Sequence, residues 1–369
     1  MFDPVYIHAY NMLTPLGLDL ATNWQSLLAN QSGIARHQVG KIKDVFVAKI
    51  SEEKFRKERQ ALLIPKGLSR LEQMLFIVGR PIISNLSITS RTAFILSTTK
   101  GNVSSLQEGI TDEAYLYSSA KKIAEIFGFV TKPIVVCNAC VSGLSAVAMA
   151  KRMIQMKQCD DVVILAADEV SEFVLSGFQA FQAVSDAPCR PFDANRNGVT
   201  LGEAAAMMYV SSQKSRLEII GESSISDANH ISGPSRTGEG LYRSIRGALK
   251  EAGIGAAEVD YISAHGTATL YNDEMEAIAF NRASLAQVPV NSLKGYYGHT
   301  LGASGLLELI LSCESLVKDE LISSKGFSHL GVSQPINIIT QTANQQLSVV
   351  LKTASGFGGS NSAMLIKKI

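Results

Sequence analysis

The chain has 369 residues and a mass of 39.6 kDa, more than one small module and enough for two domains of ordinary size. Hydrophobic residues make up 46% and charged residues 18%, the composition of a densely packed protein rather than a disordered or low-complexity one. Lys plus Arg total 34 against 33 Asp plus Glu, a net charge of +1, so no global positive field draws the chain to nucleic acid. The five cysteines are not a disulfide framework, and the odd count leaves at least one thiol unpaired. The first Lys or Arg is Arg36, so no secretory signal is expected, and no run of apolar residues is long enough for a membrane span. A cytoplasmic setting is the expectation.

In chain order, the pattern predicts a strand at Val5–Ala9 and then a polar insertion at Lys41–Arg70, which holds nine Lys or Arg against four Asp or Glu. Such a charge run reads as a solvated helical cap or as a docking surface for an acidic partner. A helix at Ser69–Ser84, a strand at Thr92–Ser97, a helix at Asp112–Ile126 and a strand at Ile134–Cys137 follow. Next come a helix at Val141–Lys157 and strands at Val162–Ala166 and Ala205–Ser211. After a polar stretch at Ser211–Arg216, the pattern resumes with a helix at Gly240–Ala252, a strand at Tyr261–Ala264 and a helix at Asn272–Phe280. A strand at Val288–Asn291, a helix at Ala303–Val317 and strands at Ser348–Thr353 and Ala363–Lys367 complete it. Several strands are apolar nearly throughout, as strands covered on both faces are. The succession predicts an α/β architecture that divides into residues 1–211 and 212–369.

Four segments carry chemistry. In Cys137-Asn-Ala-Cys-Val-Ser-Gly143 a strand ends, a turn presents Cys140 and small residues open a helix. A thiol there feels the positive end of the helix dipole, which favours the nucleophilic thiolate. The Cys-x-x-Cys spacing also fits a redox pair or half a zinc site, although Cys159, Cys189 and Cys313 stand singly and supply no second pair of ligands. In Tyr261-Ile-Ser-Ala-His-Gly-Thr-Ala-Thr269 a strand delivers His265, either as a site residue or as a structural histidine. Thr267 and Thr269 there suit ligand contacts or helix capping. Asn291-Ser-Leu-Lys-Gly-Tyr-Tyr-Gly-His299 carries Lys294 and His299 after another strand, with Glu308 in the helix beyond. Ser355-Gly-Phe-Gly-Gly-Ser-Asn361 is a glycine turn without the Lys-Ser/Thr of a phosphate-binding loop. One activated cysteine, two histidines, a lysine and a glycine turn together suit acyl transfer through a thioester.

With these motifs in this order, the chain resembles the elongating β-ketoacyl-acyl-carrier-protein synthases of the thiolase-like condensing-enzyme superfamily. The resemblance also covers Asn11-Met-Leu-Thr-Pro-Leu-Gly17 and Cys189-Arg-Pro-Phe-Asp-Ala-Asn-Arg-Asn-Gly-Val-Thr-Leu-Gly-Glu203, and so nearly the whole chain. It implies a five-layered αβαβα fold of two similar halves and a decarboxylative Claisen condensation of an acyl thioester with malonyl-carrier protein, in fatty-acid, polyketide or aryl-polyene-type synthesis. It implies Cys140 as the acylated nucleophile, His265 and His299 as enolate-stabilising donors, Lys294 as support for His299 and Glu308 as organiser of the lysine. The backbone N–H groups of Cys140 and Phe357 would form the oxyanion hole, and Thr267 and Thr269 would hold the pantetheine arm. No cofactor or metal is implied, since the substrates ride on carrier-protein phosphopantetheine. The expected partners are an acidic acyl carrier protein, docking on Lys41–Arg70 and on Lys151, Arg152 and Lys157, and a second copy in a homodimer or a chain-length-factor-like subunit in a heterodimer. Ser355 stands where the family often has a phenylalanine gating the acyl pocket, and Asn195 and Asn197 replace usual acidic residues, which points to a divergent member. The alternative is a non-catalytic chain-length-factor-like partner, but such partners lack the cysteine.

Overall fold

The computed structural model describes residues 3–109, 112–227 and 233–369. The chain begins with β1 (Tyr6–Leu13), α1 (Leu20–Leu28), the hairpin β2 (Ile34–Val39) and β3 (Ile42–Ala48), α2 (Glu52–Ala61) and α3 (Arg70–Ile83). It continues through β4 (Thr92–Ser97), α4 (Leu116–Phe127), β5 (Ile134–Val136), α5 (Ser142–Gln155), β6 (Asp161–Asp168), α6 (Glu172–Ala180), β7 (Leu201–Gly202) and β8 (Ala204–Ser211). The second half opens with β9 (Leu217–Ser226), α7 (Glu239–Ala252), β10 (Tyr261–Ser263), α8 (Leu270–Arg282), β11 (Pro289–Asn291) and the single turn α9 (Lys294–Tyr297). It closes with α10 (Ser304–Lys318), β12 (Glu320–Leu321), β13 (Asn337–Ile338), β14 (Ala343–Asn344), β15 (Val349–Gly356) and β16 (Ser360–Lys368).

Hydrogen bonds join eleven strands in the order β13-β11-β10-β15-β16-β9-β1-β8-β6-β4-β5. The seam lies between β9 and β1, which pair only through Tyr6–Glu218 and Ile7–Leu217. On one side of it β5, β4 and β6 run parallel, and β8 and β1 follow antiparallel. On the other, β11, β10 and β15 run parallel, and β16 and β9 follow antiparallel. The halves thus repeat one topology, in which β4, β5 and β6 correspond to β10, β11 and β15.

Strand alternation sets the layers. Val162, Ile164 and Ala166 of β6 share a buried cluster with Val350 and Ala354 of β15, while Val163 and Leu165 face Leu71 and Leu75 of α3 and Ile123 of α4. Leu351 and Leu365 turn the other way, toward Leu241 and Ile245 of α7 and Phe280 of α8. Between the two sheet faces lie α5 and α10, with Leu144, Val147, Leu306 and Ile310 in the shared cluster. The section therefore reads helices, sheet, helices, sheet, helices. The two central helices touch so closely at their starts that a Cβ on Gly143 would come within 2.4 Å of the Leu306 amide nitrogen, so only glycine fits. Among the described residues no helix is long and apolar enough to cross a membrane.

Three local findings differ from expectation. The sequence pattern does not predict β9, whose Gly221, Ser223 and Ser224 are poor strand formers; pairing along β16 imposes the conformation. Residues 41–70 are only partly solvated: Val45, Val47, Ile50 and Phe55 are buried, while Lys54, Arg56, Lys57 and Arg59 of α2 stay exposed. Lys151 and Arg152 do not form a free basic patch. Lys151 is buried and pairs with Glu251 at 2.5 Å, and Arg152 pairs with Glu222 at 2.6 Å, so both charges fasten one half of the molecule to the other.

Candidate active site

The repeated topology explains why residues far apart in sequence converge. Cys140 follows β5, and Lys294 and His299 follow the corresponding β11; His265 follows β10, and the Gly356–Phe357 turn ends β15. These are C-terminal ends of parallel strands, where α/β sheets place ligand sites. Ala139, just before the cysteine, adopts φ +42°, a left-handed conformation that is costly for a residue with a Cβ. The Ser142 hydroxyl holds this turn by accepting from the Asn138 N–H at 2.8 Å and donating to the Ala139 carbonyl at 2.6 Å.

Cys140 Sγ lies 2.9 Å from His299 Nε2. The His265 and His299 rings are 5.2 Å apart between centroids and nearly perpendicular, at 85°. Ligating atoms of the three side chains fall within 4.8 Å of one another. The helix start does not make this thiol acidic. Cys140 precedes α5 by two residues, and burial pushes its pKa up to about 11, with Lys294 offsetting only part of the effect. Burial, reinforced by the charges of Lys294 and Lys352, holds His265 and His299 well below the ordinary imidazole value. Both rings are neutral at neutral pH.

Lys294 Nζ donates to the His265 carbonyl oxygen and to Glu308 Oε1, each at 2.6 Å, and stands 3.5 Å from His265 Nδ1. An ammonium can only donate, so His265 Nδ1 accepts and its proton sits on Nε2. His299 Nδ1 has no hydrogen-bond partner among the described residues, and nothing pins its proton to one nitrogen. Burial alone would raise the Glu308 carboxyl, but Lys294 and Lys352 outweigh it and hold the group below the usual range.

A cavity of about 410 Å³ opens onto Cys140, His265 and His299 and is also lined by Thr267, Ser355 and Phe357. The Thr267 and Thr269 hydroxyls are 2.9 Å apart. Thr269 occupies the N-cap of α8 without a capping bond. Ser355 Oγ donates to Asn361 Oδ1 at 2.8 Å, and Asn361 Nδ2 donates to Asp227 Oδ2 at 2.9 Å. The Phe357 ring stacks on Phe178 at 5.6 Å and meets Phe181 edge-on at 5.7 Å. The end of β15 lies against the Cys140 turn: a Cβ on Gly356 would stand 3.1 Å from the Cys140 nitrogen. Cys137 is exposed and free, and histidines rather than a second thiol surround Cys140.

Three residues that hold this site escape sequence reasoning. Glu276, in α8, accepts from the His265 and Gly266 N–H groups at 2.8 and 2.6 Å. Asp168, at the end of β6, accepts from the Thr98 hydroxyl at 2.9 Å, the Thr99 N–H at 3.1 Å and the Gly302 N–H at 2.7 Å, tying the loop after His299 to the first half. Lys352, in β15, is fully buried and pairs with Glu308 Oε2 at 2.7 Å. Only Lys352 leaves a sequence signal, a charge inside the apolar run Val349-Val-Leu-Lys-Thr353, which must find a partner when buried.

Comparison with known proteins agrees with this geometry. The family model described as the β-ketoacyl synthase N-terminal domain matches residues 87–215, and the C-terminal domain model matches 216–327. A putative mitochondrial 3-oxoacyl-[acyl-carrier-protein] synthase of Schizosaccharomyces pombe is 27% identical over 424 aligned residues, spanning 99% of each chain. The 3-oxoacyl-[acyl-carrier-protein] synthase 2 of Rhizobium meliloti is 33% identical over 253 residues, which cover 63% of this chain and 60% of that protein. A ketosynthase from Xenorhabdus doucetiae, solved in complex with its chain length factor, matches with a TM-score of 0.86 at 24% identity, over 100% of this chain and 98% of that one. With both domain models matched in order across the segments that carry Cys140, His265 and His299, and with five layers of the thiolase-like fold beneath them, the chain belongs to the β-ketoacyl synthase family.

Proposed function

We propose that the chain is an acyltransferase, a 3-oxoacyl-[acyl-carrier-protein] synthase of the Cys-His-His type, with residues 1–211 supplying the nucleophile and 212–369 the histidines. The observation that carries this reading is the 2.9 Å approach of His299 Nε2 to Cys140 Sγ beside a second neutral imidazole at the floor of one cavity. In the first half-reaction Cys140 Sγ attacks the acyl thioester carbonyl, and the carbon–sulfur bond to pantetheine breaks. The thiol proton leaves by way of His299 Nε2 and ends on the departing pantetheine sulfur. In the second, malonyl-carrier protein loses CO₂, and the electron pair of the broken carbon–carbon bond moves onto the thioester oxygen as an enolate. The Nε2–H of His265 stabilises that oxygen, and so does His299 once its ring carries its proton on Nε2 rather than Nδ1, each such donor contributing about 3 kcal/mol. The enolate carbon attacks the acyl-Cys140 carbonyl, the N–H groups of Cys140 and Phe357 hold the oxyanion, and the cysteine sulfur departs as a thiolate that takes one proton from solvent to restore the thiol, leaving a β-ketoacyl-carrier protein. Thr267 and Thr269 would receive the pantetheine arm.

The charge of Lys294 and Lys352 beside the two rings favours a forming anion there over a metal dication, and every step uses only groups of this chain and two thioesters. A thiol with both imidazoles also argues against a non-catalytic chain-length-factor-like role. For the carrier protein, Lys43 lines a surface depression that shares Gln182 with the cavity and also holds Asp186 and the Arg36–Asp44 pair at 3.6 Å, so a carrier that meets Lys43 with an acidic group would present its arm to the entrance. The sheet ends at β5, an edge suited to pairing with a second copy or with a related subunit; a homodimer in the cytoplasm is the reading adopted. Purified protein given acyl- and malonyl-carrier protein should release CO₂ and β-ketoacyl-carrier protein, and Cys140→Ala should form no β-ketoacyl-carrier protein; a Cys140→Ala that condenses at the wild-type rate would refute the assignment.

A further inference from the structure

We infer that Lys352 is a second charged positioning residue of the condensing site. It locks the His265 strand end to Glu308 and gives the buried site one more positive charge than the Lys294–Glu308 pair holds. The inference rests on the function proposed above.

Alternation along β15 puts Val350, Lys352 and Ala354 on the face toward the central helices, and Lys352 is in register with Ser263 of β10. Its Nζ donates to the Ser263 and Ala264 carbonyl oxygens, each at 3.1 Å, and pairs with Glu308 Oε2 at 2.7 Å. Two of the three ammonium protons go to those carbonyl oxygens, and Glu308 Oε2 lies within ion-pair distance. Glu308 consequently bridges two lysines, one on each oxygen. Burying two ammoniums against one carboxylate is costly. The other carboxyl nearby, Glu276, is engaged by the His265 and Gly266 N–H groups, Asn272 and Thr353. Glu276 is a second carboxylate, so the two lysines are matched in number, but both ammoniums converge on Glu308 while the Glu276 oxygens face N–H and O–H donors, and packing alone gives no reason for that placement. A reaction that places a negative oxygen beside the two rings gives one, because a nearby cation favours that oxygen and disfavours a protonated ring. The charged and titratable groups facing the rings are Lys294 from α9, Glu308 from α10, Glu276 from α8, Cys140 from the turn before α5, and Lys352; each ring also faces the other.

The test is Lys352→Met, which keeps the stem and removes the charge. Titration of ¹³C,¹⁵N-histidine-labelled protein by NMR, with the rings assigned through His265→Asn and His299→Asn, should show both midpoints moving up by about one pH unit or more. The acidic limb of malonyl-carrier decarboxylation should move upward with them. Its kcat should fall by about tenfold or more with KM nearly unchanged, while Cys140 acylation falls by no more than about threefold. A folded Lys352→Met protein with unmoved ring midpoints and wild-type decarboxylation overturns the inference. If Lys352→Met does not fold, Lys352→Ala is refolded with and without methylammonium. Recovery of fold and decarboxylation together supports the inference, and any other result overturns it. Failure of the proposed function looks different: the wild-type chain would neither accept acyl groups nor decarboxylate malonyl-carrier protein, while the histidine titration would still be readable.

Discussion

At Cys140 two effects compete, and burial wins. Proximity to a helix start suggests a low thiol pKa, yet the buried sulfur is pushed up to about 11, so the resting group is a thiol, and in the proposed reaction His299, at 2.9 Å, passes its proton. Iodoacetamide labelling of Cys140 should therefore accelerate about tenfold per pH unit from pH 8 toward pH 10, as the thiolate fraction grows. A plateau already reached near pH 7, read by peptide mass spectrometry, would mean that the thiol is acidic after all. Cys140, His265, Lys294 and His299 are legible in the sequence because each sits in a short motif at a strand end. Lys352, Glu276 and Asp168 are tied to the site by no local motif: Lys352 meets Ser263 through strand register, Glu276 reaches back to His265 from the following helix, and Asp168 bonds Thr98, 70 residues away.

Among the elements, α5 and α10 govern how the two halves' loops meet. Their contact at Gly143 is a consequence of local sequence, small residues after Cys140, whose reason appears only in the packing. Gly143→Ala would drive a methyl into the Leu306 backbone and should destabilise the protein by about 3 kcal/mol, seen as a lowered denaturant midpoint; an unchanged midpoint would show that the helices can separate at no cost. The strands β4, β6 and β15 are readable from their apolar runs, whereas β9 is not, since serine and glycine yield to its partner β16. Charge at the element scale follows the same rule. Arg152 looks like a docking residue in sequence but is engaged by Glu222, whereas Lys43 remains exposed in the depression that adjoins the cavity at Gln182. Lys43→Glu should raise KM for carrier protein about five- to tenfold with kcat within about twofold. Steady-state kinetics with unchanged KM would remove that surface from the docking site.

For the whole molecule, the shared cluster around α5 and α10 draws side chains from both halves, and the Lys151–Glu251 and Arg152–Glu222 pairs cross between them. A polar stretch at Ser211–Arg216 therefore marks a turn between two repeats rather than a boundary between independently stable bodies. Calorimetry should give one cooperative transition, with calorimetric and van't Hoff enthalpies agreeing for the cooperative species; two separated transitions would contradict the shared core. The repeat itself has its use at this scale, for it brings the equivalent strand ends β5 and β11 together, one bearing the proposed nucleophile and the other His299. The most direct test is the intact mass of the protein after mixing with an acyl-carrier protein. The account predicts a single acyl adduct on the Cys140 peptide, absent in Cys140→Ala and discharged as β-ketoacyl-carrier protein when malonyl-carrier protein is added. A chain that stays unmodified, or an adduct that persists in Cys140→Ala, would contradict it.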